Sequence, residues 1–222
     1  MKIIEVKNIS KKYGNAVVID DVSCSFEEGK IHGIIGRNGA GKTLLMKSIC
    51  GFILPDEGEI IVRGKSLSNK KNTIPEDFGI IIESPGFLPA FTGYGNLKYL
   101  ASLQGKIGKA EIEEVLDTVG LGHAKGVKVS KYSMGMRQRL GIAQAIMENQ
   151  SILVLDEPMN GLDNQGVKDM RKLFLSLKEE GKTILLASHN REDIMVLCDS
   201  VMEMDHGKVI DLRYQNPESI SS

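Results

Sequence analysis

Three hydrophobic patterns divide the chain. Short β-branched segments bounded by Gly, Asn or Asp come first: "KIIEVKNI" from Lys2, "AVVIDDVSCSF" from Ala16 and "GEIIVRG" from Gly58. They predict a small, largely antiparallel sheet. Continuous apolar runs form the second pattern: "KIHGIIG" from Lys30, "SILVLDEP" from Ser151 and "KTILLASH" from Lys182. A strand buried on both faces needs no polar alternation, so these runs fit parallel strands covered by helices. Between the last two, Val167, Met170, Phe174 and Leu177 recur at helical spacing, and Gly181 marks the stop. The third pattern occupies Asn96 to Met147, where "NLKYLASLQG", "KAEIEEVLDTVG" and "GMRQRLGIAQAIM" are helical with no clear strand between them.

The expected fold is therefore α/β: a mixed or parallel sheet flanked by helices, with an N-terminal antiparallel β-subdomain and an inserted α-helical subdomain. All 222 residues belong to one unit. Residues 1–92 and 148–222 form the core and the antiparallel sheet, residues 93–147 the insertion, and "QNPESISS" from Gln215 reads as a polar tail. A further apolar run, "GIIIESPGFLP" from Gly79, is expected to be a buried strand ending abruptly on Glu83. By itself that carboxylate fits a metal ligand, a general base, a moving joint or a strand terminator.

Composition narrows the function by exclusion. Charged residues make up 26% and the net charge is -1, which gives no basic field for nucleic acid. Three widely spaced cysteines, Cys24, Cys50 and Cys198, lack metal-ligand spacing and fit reduced core thiols of a cytosolic protein. Without an apolar leader or a run of roughly 18 apolar residues, the chain is expected to be neither secreted by a signal peptide nor membrane-spanning. Any membrane role must come through a partner.

The strongest chemical signal is "GRNGAGKT", Gly36, Arg37, Asn38, Gly39, Ala40, Gly41, Lys42 and Thr43. It follows an apolar strand and opens a helical pattern, the setting a phosphate-binding loop requires. Glycines let successive amides turn toward phosphate oxygens, and the helix N-terminus adds its dipole. Lys42 reaches the outer phosphates and Thr43 offers a hydroxyl to Mg²⁺. In "SILVLDEP", a strand ends on two acids. Beside such a loop, Asp156 is suited to hold Mg²⁺ and Glu157 to take a proton from attacking water, so the bound nucleotide is expected to be hydrolysed.

Three more segments complete an ordered set: "YSMGMRQR" from Tyr132, "NGLD" from Asn160, and "SH" at Ser188 and His189. With the phosphate loop and the strand-terminal acids, they resemble the motifs of ABC ATPases, the nucleotide-binding domains of ATP-binding-cassette proteins, across roughly Ile3 to Ile210. The resemblance implies a P-loop NTPase core of RecA-like kind, ATP and Mg²⁺ as ligands, and ATPase activity coupled to transport. It implies that Tyr13 stacks on adenine, and that Ser133 and Gly135 meet the γ-phosphate of a nucleotide held by a second protomer. It further implies that His189 contacts the γ-phosphate and orients water, and that Asp163 touches the opposite protomer. Tyr132, Met134 and Met136 depart from the usual Leu-Ser-Gly-Gly-Gln signature, while Ser133 and Gly135 remain. A methionine pair also fits simple packing.

Glu83 stands where the family has a glutamine that begins the loop joining core to helical arm and contributes to the metal site. Glutamate there, followed by "SPGFLP", resembles the ATPases of bacitracin-type and lantibiotic self-protection exporters. The partners so implied are membrane-spanning permease subunits, contacted near Glu83 to Phe91, and a second copy of the chain or a homologous ATPase in a head-to-tail dimer. The expected location is cytoplasmic, peripheral on the inner face of the cell membrane. A soluble ABC ATPase that remodels ribosomes or DNA, and a nucleotide-gated regulatory module, are the alternatives.

Overall fold

The computed structural model describes residues 1–67 and 77–214; the expected polar tail from Gln215 lies outside them. Strands β1 (Lys2–Tyr13), β2 (Ala16–Glu27), β4 (Glu57–Val62) and β5 (Lys65–Ser66) form an antiparallel sheet in the order β2-β1-β4-β5. The second sheet has six strands in the order β10-β9-β3-β8-β7-β6. They are β3 (Ile31–Ile35), β6 (Phe78–Ile81), β7 (Ile152–Asp156), β8 (Thr183–Ala187), β9 (Ser200–Asp205) and β10 (Lys208–Tyr214). Pairings β3 with β8, β3 with β9, β6 with β7 and β7 with β8 are parallel, and β9 with β10 is antiparallel.

The apolar runs behave as a two-faced strand should. Along β7, Leu153 and Leu155 enter one core while Ile152 and Val154 enter the other; in β8, Ile184 and Leu186 part from Leu185 and Ala187 in the same way. One core is shared with β1, β2 and helix α1 (Lys42–Ile49), and the other with the remaining helices. Each fully buried side chain of this kind contributes roughly 1.5–3 kcal/mol, so the central strands hold the two layers together.

Between β6 and β7 the chain makes α2 (Gly93–Gln104), α3 (Lys109–Thr118) and α4 (Met134–Ile146). Thr92 caps α2 by accepting from the Gly95 amide, which begins the helix three residues before the apolar pattern does. Helix α5 (Asn164–Glu179) follows β7, with Glu180 as its C-cap and Gly181 in the left-handed region just beyond. Helix α6 (Arg191–Leu197) precedes β9.

The expected strand ending on Glu83 is corrected. Strand β6 stops at Ile81 on the edge of the sheet, Ile82 is half-buried, and Glu83 follows with φ 63°. An edge strand has one neighbour and a free side, so its last isoleucine need not be covered.

Two contacts make the layers testable. A Cβ on Gly79 would lie 1.8 Å from the Ala145 carbonyl oxygen, so α4 sits on β6 at a distance only glycine allows. Gly79→Ala is expected to cost roughly 2–3 kcal/mol or more, seen as a lowered denaturation midpoint. Buried His32 joins β3 to β2 and β9, with Nδ1 2.7 Å from Ser200 Oγ and Nε2 against the Glu27 backbone. Burial holds its pKa below the ordinary value. With the folded pKa depressed, the unfolded chain binds the proton first, so this stability is present above about pH 6.5 and lost as pH falls below it. Thermal melts between about pH 7 and 5 should decline with acid, less steeply in His32→Gln.

Candidate active site

The loop from Gly36 to Gly41 leaves the buried end of β3 and turns into α1. Gly36 has φ 146°, and a Cβ there would meet the Met204 carbonyl oxygen at 2.3 Å. Gly41 is the N-cap of α1 at φ 103°, with no side chain capping the helix. The first-turn amides are therefore directed to the mouth of a cavity rather than satisfied by a cap. Lys42 is buried, and its Nζ donates to Gly36 O at 2.7 Å and Arg37 O at 3.1 Å. Its ammonium is thus anchored by the loop it serves.

Beneath the loop, Thr43 Oγ1 donates to Asp156 Oδ2 at 2.6 Å, tying α1 to the end of β7. Both are oxygen donors, the chemistry that suits a hard divalent cation. Glu157 follows at φ 50°, a left-handed value that costs a non-glycine residue of order 1–3 kcal/mol. Its amide donates to Ala187 O at 2.9 Å, and Gln138 Nε2 donates to its carbonyl at 3.3 Å. Its carboxylate is turned to His189, with Oε2 2.8 Å from Nδ1. A carboxylate held by an imidazole in this way is suited to act as an oriented base.

Lys42, Thr43, Gln138, Asp156 and Glu157 line a cavity of about 770 Å³, large enough for a nucleotide, whereas Gly36, Arg37 and His189 are not among the described residues that line it. Asn38, Gly39, Ala40, Gly41, Lys42 and Thr43 form its floor, and Glu83, Asp156 and Glu157 one wall. Val17, Val18, His206 and Gly207 close another. The Arg37 carbonyl accepts from Lys42, while its exposed guanidinium donates to Asp205 at 2.9 Å and to His206 Nε2 at 2.9 Å. Tyr13, at the end of β1 and half exposed, is not among the described residues that line the cavity; Val17 and Val18 take the wall nearest to it in sequence. Glu83 faces the cavity with its carboxylate on Lys47, Oε1 to Nζ 2.5 Å. Thr43 and Asp156 are thus in direct contact, and Glu83 is turned to a lysine instead.

Ser133 and Gly135 lie elsewhere. Ser133 caps α4 through the Met136 amide at 3.2 Å, and both line a second cavity of about 540 Å³ that shares no residue with the first. The carbonyl of Gly161 and the cap residue Asp163, which accepts from the Gly166 amide at 2.7 Å, border that cavity. The three unusual signature residues have separate explanations. Tyr132 is buried and donates to Ala124 O at 2.9 Å, with burial raising its pKa. Met136 packs on the core, and exposed Met134 lies against Gly161. Cys24, Cys50 and Cys198 are free thiols pushed up to about 12 by burial, far from reactive.

Sequence reasoning missed Lys47, Gln138 and His206. Lys47 was findable, because it stands four residues after Thr43 on one face of a helix already expected. The other two depend on long-range packing.

The family profile described as "ABC transporter" matches residues 19–160. The ABC transporter ATP-binding protein YybJ of Bacillus subtilis (strain 168) is 43% identical over 207 residues, covering 93% of this chain and 94% of that protein. The bacitracin transport ATP-binding protein BcrA of Enterococcus faecalis is 40% identical over 210 residues, covering 94% and 68%. The crystal structure of a nucleotide-free ATP-binding cassette from an ABC transporter superimposes with a TM-score of 0.86 at 28% identity, covering 99% of this chain and 94% of the other.

Replacing Lys42 by Ala removes the ammonium set among the loop carbonyls. Charge-assisted hydrogen bonds contribute about 1.5–3 kcal/mol, so equilibrium binding of labelled ATP should weaken about 10- to 100-fold. Retention at the wild-type level would sink the phosphate-loop assignment.

Proposed function

Because the chain belongs to the family of ABC transporter ATP-binding proteins, we propose that it binds and hydrolyses ATP as the energising subunit of a transporter, working as a head-to-tail pair. The observation that carries this reading is the meeting of Lys42, Thr43, Asp156 and Glu157 around one cavity, with His189 against the Glu157 carboxylate, while Ser133 and Gly135 line another. A chain with both half-sites on different faces completes a site only when a second copy, or a homologous ATPase, supplies the missing half.

In this reading the amides of the Gly36 to Gly41 loop and the Lys42 ammonium hold the phosphates of ATP. Thr43 and Asp156 would hold Mg²⁺, which when bound offsets phosphate charge. Glu157 is the proposed general base for the attacking water; His189, against its carboxylate, would keep it aimed and contact the outermost phosphate. Ser133 and the N-terminal amides of α4 would face the partner's nucleotide. Tyr13 remains the proposed adenine-stacking residue.

Coupling to permease subunits is assigned to a groove of about 470 Å³ between the end of β6 and helices α2 and α4, lined by Phe52, Pro85, Leu100 and Leu103. Phe52 and Leu103 in its lining are large apolar side chains left exposed, as are Leu88 and Phe91 in the segment after Glu83 and Tyr99 on α2. Such a patch suits a protein partner. Among the described residues no helix is long and apolar enough to cross a membrane. The chain is accordingly proposed to sit on the inner face of the cell membrane through its permease. The bacitracin transport name of one relative supports export of a peptide antibiotic, of bacitracin or lantibiotic type, in self-protection or resistance.

Glu157→Gln should slow hydrolysis by two orders of magnitude or more, the usual scale of general-base catalysis, and accumulate the ATP-closed pair. Light scattering with Mg-ATP should then read twice the monomer mass. A monomer in that variant, with and without co-purified permease, would overturn the paired mechanism.

A further inference from the structure

Lys47 occupies a position that the proposed mechanism does not use. It lies on α1 four residues beyond Thr43, so both side chains project from one face of the helix. Its ammonium is 2.5 Å from Glu83 Oε1, with 27% of the lysine side chain exposed and 67% of the glutamate. Glu83, Asp156 and Glu157 put three carboxylates on one cavity wall. The lysine therefore neutralises the one carboxylate that is not hydrogen-bonded to Thr43 or His189.

Backbone geometry supports more than charge balance. Glu83 sits at φ 63°, a conformation a non-glycine residue keeps only when its surroundings hold it. Glu83 and Ser84 line both the loop cavity and the apolar groove beside α2. Lys47 ties down both sides: its carbonyl accepts the Phe52 amide at 2.9 Å, and Phe52 lines the same groove. One residue thus links the phosphate-loop helix to two parts of the groove wall.

We propose that Lys47 is a positioning residue that competes with the bound divalent cation for the Glu83 carboxylate, holding it off the donor pair formed by Thr43 and Asp156. The proposal rests on the ATPase reading of the site. While the ion pair is closed, Glu83 adds no negative charge to the cation site; when a partner in the groove draws the Glu83 segment, the carboxylate becomes available. Lys47 therefore sets how much free Mg²⁺ the site requires.

The test measures binding, not turnover: free Mg²⁺ is titrated against a fluorescent ATP analogue for the wild type, Lys47→Met, Glu83→Gln and the double variant. Removing the lysine frees the carboxylate, and Lys47→Met should lower the half-saturating Mg²⁺ about threefold, the range expected for a partly exposed ion pair. In the Glu83→Gln background the same replacement should change nothing. Lys47→Gln, which keeps a polar tip, is the second variant if Met disturbs the fold and must shift the requirement the same way. An unaltered Mg²⁺ requirement in a lysine variant that binds the analogue overturns the proposal, as does an equal shift with and without Glu83. Failure of the wild type to bind the analogue, or equal binding by Lys42→Ala, overturns the ATPase reading instead.

Discussion

The site depends on one close approach of backbone to backbone. Gly36 lies so near the Met204 carbonyl that any Cβ would collide with it, and the Gly207 amide donates to Ala40 O at 3.0 Å. The loop between β3 and α1 is thus pressed on the turn joining β9 to β10. On the other side, a Cβ at Gly41 would meet the Val18 carbonyl oxygen at 3.1 Å, and the Asp20 amide donates to Gly207 O at 2.9 Å. Held from both sides, the loop curls with its amides inward. Its geometry is set before any ligand arrives, which is the condition for electrostatic stabilisation without reorganisation.

The parallel strands bring the remaining groups to that loop. Strands β3, β7 and β8 are adjacent and run the same way, so their C-terminal ends share one edge, where Gly36, Asp156 and Ser188 follow in turn. Ligands of open α/β sheets gather at such edges because the loops there converge. The Thr43 to Asp156 hydrogen bond spans β3 and β7 across β8, and the Glu157 amide closes on Ala187 O. A change in any one strand register would separate them.

Much of this was legible from local pattern. Glycines at 36, 39 and 41, the acids ending "ILVLDEP", and the two-faced apolar strands each have a local physical cause, and the order of motifs supplied the family resemblance. What escaped is what only packing decides. Tyr132 reads as a signature anomaly, yet its hydroxyl reaches Ala124 O and its ring fills the core. Glu83 reads as the end of a strand, but an edge strand frays earlier, and the lysine that holds it comes from a helix 36 residues before. His206 carries no motif and reaches the cavity only because its hairpin folds under the loop.

The separation of the two half-sites follows from the same architecture. Helix α4 is fixed to the core along its C-terminal half, where the Ala145 carbonyl sits on Gly79 and Pro85 crowds Gly141. Its N-terminal residues Ser133 to Met136 border a cavity with Gly161, Leu162 and Asp163, while Gln138, further along, reaches the loop cavity and the Glu157 carbonyl. Among the described residues, the segment common to the loop cavity and the groove begins at Glu83. An ion pair at that point, partly exposed and therefore worth at most about 1 kcal/mol, is strong enough to bias the segment and weak enough to be broken by a partner.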